Sequence, residues 1–335
     1  DFPPEMITFH GNSKTEREIG DGLDYGVGCF VCDSAGEMLL IDRMASDRGA
    51  SANILIRVTP GVDSHTHRHI ATAGAGSKFG VPMESVMTAV AEGMKLRGAS
   101  LRGFHFHVGS QLMDNSSHME ALEIVLDLMR RARDELGFVT RTLDMGGGFG
   151  VKYADGDDPS PVGSFICPMV ERVEEFCASS GIPRPSLVVE PGRFIVGPAG
   201  ITLYTAGSVK ETPGLGLCVG VDGGYPDNPR PALYDAKYEA VVANKHTKNE
   251  SASPRVRTTI VGKCCESGDI LIRDIELPEI ERGDIIAVKS TGAYNHSMAS
   301  NYNKNPIPAV VMIKGGEARL SVRRQSFEEM FALDV

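Results

Sequence analysis

In the segment Leu143-Asp144-Met145-Gly146-Gly147-Gly148-Phe149-Gly150, a short apolar strand runs directly into consecutive glycines. Glycines at the carboxyl end of a strand leave backbone N–H groups that can surround a phosphate. Glycine runs also form ordinary turns, so the stretch by itself is compatible with either role. The flanking sequence is needed to decide between them.

Similar strands recur on both sides of this stretch, from residue 6 to about residue 190, and segments of helical period separate them. Each strand is followed within a few positions by residues typical of loops. This alternation predicts parallel βα units, whose active sites form where the strands end. The predicted strands span residues 6–9, 28–32, 54–58, 103–107, 142–145 and 187–189.

Two of the intervening helices are predicted in detail. After Ser117, the spacing Ser-His-Met-Glu matches a capping box, and an apolar stripe follows. A second helix over 165–178 has the same period, and we interpret both stripes as core rather than as a cofactor face. The stripe residues are Met119, Leu122, Leu126 and Met129 in the first helix and Phe165, Met169, Val173 and Phe176 in the second.

After Pro198 the sequence changes to short strands broken by proline and glycine, which predicts a mostly β second domain. We therefore expect a parallel α/β domain at 1–199 and a β domain at 200–335. A closed (β/α) barrel has eight strands, so six predicted strands indicate either an open sheet or two βα units ahead of residue 1. The strands of the β domain are predicted at 201–206, 218–221, 258–261, 285–288, 309–313 and 318–322.

Composition excludes two functional classes. The 335 residues carry a formal net charge of −10, which argues against nucleic-acid binding, and no apolar run is long enough to span a membrane. Seven cysteines at irregular positions suggest no disulfide framework, so a cytoplasmic location is expected. The start, Asp1-Phe2-Pro3-Pro4, has neither an initiator methionine nor a signal-peptide pattern, which suggests a chain that begins within a gene product.

The segment Val188-Val189-Glu190-Pro191-Gly192-Arg193 brings a carboxylate and then a guanidinium to the end of a strand. One interpretation is a structural salt bridge. The other is that Glu190 meets a protonated heterocyclic nitrogen while Arg193 meets an anion, because a buried carboxylate needs a cationic partner.

A second strand end carries histidines. His105 and His107 alternate along the predicted strand and should share one side of it. A strand histidine is commonly a core residue, but the Gly109-Ser110 that follows favours a functional role for His107 and Ser110.

Two other motifs are interpreted without a functional role. Three histidines at period two lie within residues 63–69, but no matched carboxylate or thiol spacing accompanies them, so no metal site is predicted. Cys29 and Cys32 have CxxC spacing, but they lie inside an apparent buried strand rather than at a helix start, so redox chemistry is not expected.

Taken together, the motifs resemble one family. Their order along the chain is HVGSQ, LDMGGGFG, VEPGR, RPALY, CCESGD and GAYNHSMASNYN. This order resembles the fold-type III pyridoxal-phosphate decarboxylases, from the FHGNSK segment at 9–14 to the C-terminal strands. The resemblance implies an alanine-racemase-like (β/α)8 barrel, of which the first two βα units are absent from this chain. It also implies a C-terminal β domain that completes the active site across a homodimer interface.

The same resemblance implies a pyridoxal 5'-phosphate site. Glu190 would bond the pyridine nitrogen and keep it protonated, and His107 would stack on the ring. The other cofactor-binding residues that it implies are Arg57, Ser110, Gly147, Gly148, Arg193 and, from the partner's β domain, Tyr294.

For the substrate, the resemblance implies recognition of both ends of meso-2,6-diaminopimelate, which would lose CO₂ to give L-lysine in lysine biosynthesis. Arg193, Arg230 and Tyr234 would hold the distal carboxylate, and Glu266 the distal amine. Cys265, from the other subunit, would donate the proton to the carbanion. Ornithine-type relatives typically show aspartate and glycine after this cysteine, whereas this chain has Glu266 and Ser267.

The chain departs from the family pattern at its start. The Schiff-base lysine of the family lies in a Tyr-Ala-Val-Lys-Ala-Asn-like motif, and neither Lys14 nor Lys78 occupies such a motif. We therefore expect a fragment, with the two missing strands before Phe2 and activity in a longer protein. Two alternatives remain open: a cofactor-free relative that regulates an active partner by heterodimerisation, and a decarboxylase of the ornithine or arginine type.

Overall fold

The computed structural model describes residues 2–62, 77–245 and 254–335. Its contacts divide the chain into two compact units. The first comprises Asp1–Gly150 and Pro159–Pro191, and the second comprises Val151–Asp158 and Gly192–Val335. The division thus falls at Pro191 and Gly192, earlier than the domain boundary expected at 199, and a short segment after the glycine run belongs to the second unit.

The first unit is built on a parallel sheet with strand order β1-β2-β3-β5-β6-β7, to which β4 adds as a branch beside β3. Every pairing in it is parallel, which confirms the βα prediction. The two-residue β4 was not predicted, because so short a strand has no detectable alternation. The strands are β1 Thr8–Phe9, β2 Cys29–Cys32, β3 Ala52–Thr59, β4 Val81–Pro82, β5 Ala99–His105, β6 Thr142–Gly147 and β7 Ser186–Glu190.

Helices follow the strands of this sheet. They are α1 Glu16–Tyr25, α2 Ala35–Asp47, α3 Met83–Gly93, α4 Ser116–Leu136 and α5 Val162–Ser180, with a short 3-10 helix at Pro4–Met6. Thr15 begins α1 with a complete capping box, and the Ser34 side chain caps α2. The predicted stripes of α4 and α5 pack in the core as expected, with Met119 only partly buried.

The predicted capping box at Ser117 is wrong. Ser117 lies inside α4 and is buried, and the N-cap residue is Asn115. The Asp114 carboxylate accepts hydrogen bonds from the backbone N–H of Ser116, at 2.9 Å, and from its hydroxyl, at 2.5 Å. This local bonding starts the helix at Ser116, before the position that the sequence pattern favoured.

The sheet of the first unit curls strongly. β1 and β7 are the first and last strands in the order of hydrogen-bonded neighbours. Neighbouring strands lie about 4.8 Å apart, so in a flat sheet these two strands would be separated by about 24 Å. Yet His10, directly after β1, lies with its Nε2 atom 2.9 Å from Glu190 Oε1 at the end of β7. The curl is that of a barrel wall, and it brings residues from both edges of the sheet together.

The second unit is mostly β, as predicted. A six-stranded mixed sheet has the order β10-β13-β8-β9-β11-β12, and β14 and β15 form a separate hairpin. The strands are β8 Thr202–Thr212, β9 Gly216–Val221, β10 Ala240–Val242, β11 Arg255–Val261, β12 Ile270–Pro278, β13 Ile285–Val288, β14 Val310–Lys314 and β15 Glu317–Val322. The helices are α6 Gly192–Val196, α7 Arg230–Tyr234, α8 Asn295–Met298 and α9 Phe327–Met330, with a 3-10 turn at Tyr302–Lys304.

Two of these strands, β10 and β12, were missed by the sequence analysis. β10 has three residues, and β12 is interrupted by Arg273 and by Asp274, whose φ is +55°. Among the described helices of either unit, none combines the length and the apolarity needed to cross a membrane.

Candidate active site

Three side chains of the first unit meet at one carboxylate oxygen. Glu190 ends β7, His105 ends β5 and His10 follows β1. His10 Nε2 lies 2.9 Å and His105 Nε2 lies 3.5 Å from Glu190 Oε1, and the two imidazole rings pack edge to face with centroids 5.0 Å apart. His105 is fully buried, whereas His10 and Glu190 are each about one-third exposed. Glu190 was predicted from the sequence, but the histidines around it were not assigned this role.

The electrostatics of this group favour a charged Glu190. Burial opposes ionisation of Glu190, but the contacts from His10 and His105 outweigh it and lower its pKa well below the usual range. Asp144, in β6, has its pKa raised to about 7, first by burial and then by the negative charge of Glu190. Two neighbouring carboxyl groups, one of them fully buried, do not readily ionise together, so Glu190 carries the charge of the pair.

His107 lies beside the glycine run. β5 ends at His105, so the strand alternation that was expected to place both histidines on one side does not extend to His107. The backbone N–H of Gly147 donates to His107 Nδ1 at 3.2 Å, which leaves the ring proton on Nε2. Burial lowers the pKa of His107 to about 3, so the imidazole is neutral at physiological pH.

The glycine run is required by close backbone packing. Gly146 and Gly148 adopt φ of 66° and 95°, where other residues are strained. A Cβ on Gly147 would lie 2.0 Å from the carbonyl oxygen of Glu190. The run therefore joins the ends of β6 and β7 beside His107, and the role of Gly147 and Gly148 in phosphate binding stays a prediction.

Arg57 lies near the same group, in β3. Its guanidinium packs 4.5 Å from the ring centre of Phe79. Burial lowers the pKa of Arg57, and the charges of Asp33 and Glu190 act in the opposite direction. Ser110 is half-buried in the loop after β5. The structure thus places Arg57 where its positive charge acts on Glu190.

Lys14 has a structural environment. Its Nζ donates to Glu37 Oε2 at 3.0 Å and to the carbonyl oxygens of Gly11, at 2.8 Å, and Val31, at 2.7 Å. Both side chains of this ion pair are buried. All three donor positions of the ammonium group are used within the first unit.

The residues of the first unit fit a pyridoxal ring. Glu190 Oε1, Asp144 Oδ2 and both ring nitrogens of His105 are buried without a well-aligned hydrogen-bond partner among the described residues. Buried polar groups of this kind are costly unless a ligand or water satisfies them. A negative carboxylate at a strand end, beside the neutral imidazole of His107, suits a protonated aromatic nitrogen and its ring face.

The second unit contains two buried arginines among tyrosines. Arg193 donates to the hydroxyl of Tyr153, and its guanidinium lies 4.6 Å from the ring centre of Tyr294. Arg230 donates to the Tyr238 hydroxyl at 2.5 Å and lies 5.1 Å from the Tyr153 ring centre and 5.8 Å from that of Tyr294. The tyrosine rings offer cation–π contacts to both guanidinium groups.

Arg230 is buried, with only 7% of its surface exposed. Even so, it has no carboxylate partner within the part of the chain that the structure describes. A buried guanidinium without an acidic partner is a strong site for an anion. The predicted partner Tyr234 ends α7 and is half-buried, and no contact with Arg230 marks it as part of this group. Tyr153 and Tyr238 were not predicted from the sequence, because they carry no motif signal of their own.

A loop of the second unit carries the predicted thiol. The buried Asp269 carboxylate accepts the N–H of Cys264 at 2.9 Å and the N–H of Tyr225 at 2.7 Å. Cys265 and Glu266 are exposed on this loop. Their neighbour Cys264 is half-buried, and burial together with the charge of Asp269 raises its pKa to about 11. The loop is therefore fixed on one side and presents Cys265 and Glu266 on the other.

Cys29 and Cys32 lie in β2, where burial raises the pKa of Cys29 to about 12 and that of Cys32 further. The histidine segment at 63–69 lies outside the described residues. Within the described ranges, the group that could hold a metal by its ligand atoms is His10, His105 and Glu190, which had not been predicted as one.

Comparison with known proteins identifies the family. The model of the pyridoxal-dependent decarboxylase family, pyridoxal binding domain, matches residues 1–197. Diaminopimelate decarboxylase of Bacillus subtilis (strain 168) is 44% identical over 340 residues, which cover 100% of this chain and 76% of the relative. That of Staphylococcus aureus (strain COL) is 43% identical over 336 residues, covering 99% of this chain and 77% of the relative.

A solved structure agrees with these sequence matches. The crystal structure of diaminopimelate decarboxylase from M. jannaschii in complex with L-lysine has a TM-score of 0.90 at 32% identity, covering 99% of this chain and 75% of that chain. The similarity confirms the predicted barrel-type fold with a β domain. The chain belongs to the pyridoxal-dependent decarboxylase family and, within it, to the diaminopimelate decarboxylases.

Proposed function

We propose that this protein removes CO₂ from the D-centre of meso-2,6-diaminopimelate with pyridoxal 5'-phosphate as cofactor, forming L-lysine in the last step of lysine biosynthesis. The observation that carries the proposal is Arg230, a buried guanidinium without an acidic partner among the described residues. Meso-diaminopimelate has a distal carboxylate that such a group can neutralise, whereas ornithine has none. The family match supports both the cofactor and the reaction.

Bound pyridoxal phosphate supplies an electron sink for the carbanion that remains when CO₂ departs. Glu190 would accept the hydrogen bond of the protonated pyridine nitrogen, and its ionised state suits that role. His107, held by the Gly147 amide, would lie against the ring face. The remaining proposed contacts are Arg57 near the ring hydroxyl and Ser110, Gly147, Gly148 and Arg193 near the phosphate.

At the far end of the substrate, side chains of opposite charge would bind the carboxylate and the ammonium group of the zwitterion. Arg230, with Arg193, would bind the distal carboxylate, and Glu266 would bind the distal ammonium group. The hydroxyl of Tyr302 donates to Glu266 Oε2 at 3.2 Å, which orients this carboxylate. Tyr234 stays a predicted member of the carboxylate site.

We further propose that the enzyme is a homodimer with shared sites. Cys265 is exposed on a loop that Asp269 fixes, and Tyr294 is also exposed. Such side chains are available to a second copy of the chain. In this arrangement the Cys265 thiol would supply the proton that the decarboxylated substrate in the partner's site needs, and Tyr294 would close that site.

Mixing two inactive variants tests the shared site. Cys265→Ala and Glu190→Ala subunits, each inactive alone, should regain roughly a quarter of wild-type activity after equimolar exchange, because half of the dimers are mixed and hold one intact site of two. The measurement is the rate of lysine formation after exchange, with dimer mixing verified by mass labelling. Complete exchange without recovered activity would place each site within a single chain.

The reaction itself is tested by product analysis. The protein expressed from its complete gene should form one L-lysine and one CO₂ per meso-diaminopimelate consumed, and formation should depend on pyridoxal phosphate. Mass spectrometry and CO₂ release measure the two products. Unchanged substrate in the presence of bound cofactor would contradict the proposed reaction.

The two alternatives gain no support. A cofactor-free regulator has no evident need for Cys265, Glu266 and Arg230 together, and an ornithine-type enzyme has no use for Arg230. The similar proteins reported above are diaminopimelate decarboxylases. All seven cysteines are free thiols, which supports our proposal of a reducing, cytoplasmic location.

A further inference from the structure

Three consecutive glycines lie at the end of β6, and a run of this kind needs outside contacts to hold one conformation. Glycine loses more conformational freedom on folding than any other residue, because it has no Cβ to restrict its backbone. Gly146 and Gly148 both adopt positive φ, at 66° and 95°. The conformation of the run therefore depends on the groups that bind Gly147 between them.

Gly147 contacts a histidine through each of its backbone polar groups. Its N–H donates to His107 Nδ1 at 3.2 Å, and its carbonyl oxygen lies 2.8 Å from His118 Nε2. A carbonyl oxygen can only accept, so Nε2 of His118 carries the proton. Gly147 also pairs in register with Glu190 of β7, and a Cβ on Gly147 would collide with the carbonyl oxygen of Glu190. The position of Gly147 thus affects both His107 and the end of β7.

His118 is anchored in the core by its surroundings. It lies in α4 and is fully buried. Its ring stacks on that of Phe149, which directly follows the glycine run, with centroids 5.3 Å apart, and packs edge to face with Phe165 at 5.8 Å. Burial lowers the pKa of His118, so the imidazole is neutral at physiological pH. Nδ1 has no partner among the described residues, so the bond to Gly147 is the hydrogen bond that this ring contributes there.

We propose that His118 is a positioning residue for the cofactor site, which donates from Nε2 to the Gly147 carbonyl oxygen and so fixes the glycine run that aligns His107. The use of this arrangement rests on the proposed function, in which His107 lies against the pyridoxal ring and the glycines lie near the phosphate. Without the donor, the buried carbonyl oxygen would have no partner in this position. We therefore expect the glycine run to shift when the donor is removed.

The first test uses the wild-type protein, expressed from its complete gene and freed of pyridoxal phosphate. ¹⁵N NMR of the histidine rings should show His118 protonated at Nε2 and unprotonated at Nδ1. The ring signals of His118 are assigned by their loss in His118→Phe. The opposite tautomer would overturn the inference, because Nε2 could not then donate to Gly147.

The second test removes the donor and keeps an aromatic ring in its place. In His118→Phe, the ¹⁵N resonance of His107 Nδ1 should move downfield as its hydrogen bond from Gly147 weakens, and the Gly147 amide should exchange faster with solvent. The dissociation constant of added pyridoxal phosphate should rise by about 2- to 12-fold, the effect of one net hydrogen bond. KM for meso-diaminopimelate at saturating cofactor should be unchanged, because the proposed contacts with its distal end are made by other residues.

Two further variants separate donation from packing. His118→Gln retains an N–H donor and should restore the His107 resonance and most of the cofactor affinity. Val125→Ala removes fully buried apolar volume about two turns further along α4. This control should lower stability but leave the His107 resonance and the cofactor affinity as in wild type.

Several outcomes would overturn the inference. One is an unchanged His107 resonance and Gly147 exchange rate in His118→Phe, and another is an equal change in His118→Gln or Val125→Ala. Unchanged cofactor affinity in His118→Phe, with these signals moved, would also overturn it. Wild-type protein that binds no pyridoxal phosphate, while His118→Phe moves the signals as expected, would instead contradict the proposed function and leave the positioning of Gly147 by His118 intact.

Discussion

Replacing Cys265 by alanine should lower kcat for lysine formation by about 10²- to 10⁴-fold, the usual contribution of a positioned general acid. KM should change little, because the proposed contacts with the distal carboxylate and amine are made by other residues. Steady-state kinetics on meso-diaminopimelate measures both quantities. The loss follows from the exposed position of Cys265 on a loop whose backbone Asp269 fixes, so the thiol can be delivered to a defined place.

The neighbouring thiol is the matched control for this prediction. Cys264 is half-buried with a pKa raised to about 11, so Cys264→Ala should retain most of the activity. A large loss in Cys264→Ala together with a nearly normal Cys265→Ala variant would mean that the other thiol is the proton donor.

Arg230→Met should lower kcat/KM for meso-diaminopimelate by about 30-fold to several thousand-fold. Removing one partner of a buried charge pair costs about 2–5 kcal/mol, and this range converts to that loss. Cofactor binding should be nearly unchanged, because the distal carboxylate loses its partner while the pyridine nitrogen and the phosphate keep theirs. Methionine also keeps an unbranched side chain against Tyr153, so folding should be preserved.

The comparison of substrates makes the prediction specific. Arg230→Met should narrow the difference between meso-diaminopimelate and L-ornithine, which has no distal carboxylate to lose. Arg255→Met, at an exposed arginine of β11, serves as the surface control and should behave as wild type. Equal loss on all substrates in Arg230→Met would show that Arg230 has a structural role instead.

The parallel fold could be predicted from the sequence because each strand of the first unit is a short apolar run followed by loop residues. Strands without that pattern were missed: β4 and β10 are too short, and the apolar run of β12 is interrupted at Arg273 and Asp274. The start of α4 was misplaced because Asp114, a residue outside the helix, binds the backbone of its first residue. Local bonding of this kind leaves little signal in a single sequence.

The candidate site was predictable only where a motif marks it. Glu190 and His107 lie at or just beyond strand ends in recognisable segments, and Arg230 precedes Leu233 and Tyr234 in another. The contact of His10 with Glu190 depends on the curl of the sheet, which brings the two end strands together. Asp144 lies near Glu190 because β6 and β7 pair directly. The FHGNSK segment and the aspartate before the glycine run were the available signals, but neither indicated a partner.

In the proposed function, this protein selects a substrate with a distal carboxylate, which Arg230 binds. The most direct test is the ratio of kcat/KM for meso-diaminopimelate to that for L-ornithine, measured on wild-type protein with saturating pyridoxal phosphate. We expect a ratio of at least about 30, the lower bound for a buried charge pair. A ratio near one, or a preference for ornithine, would contradict it.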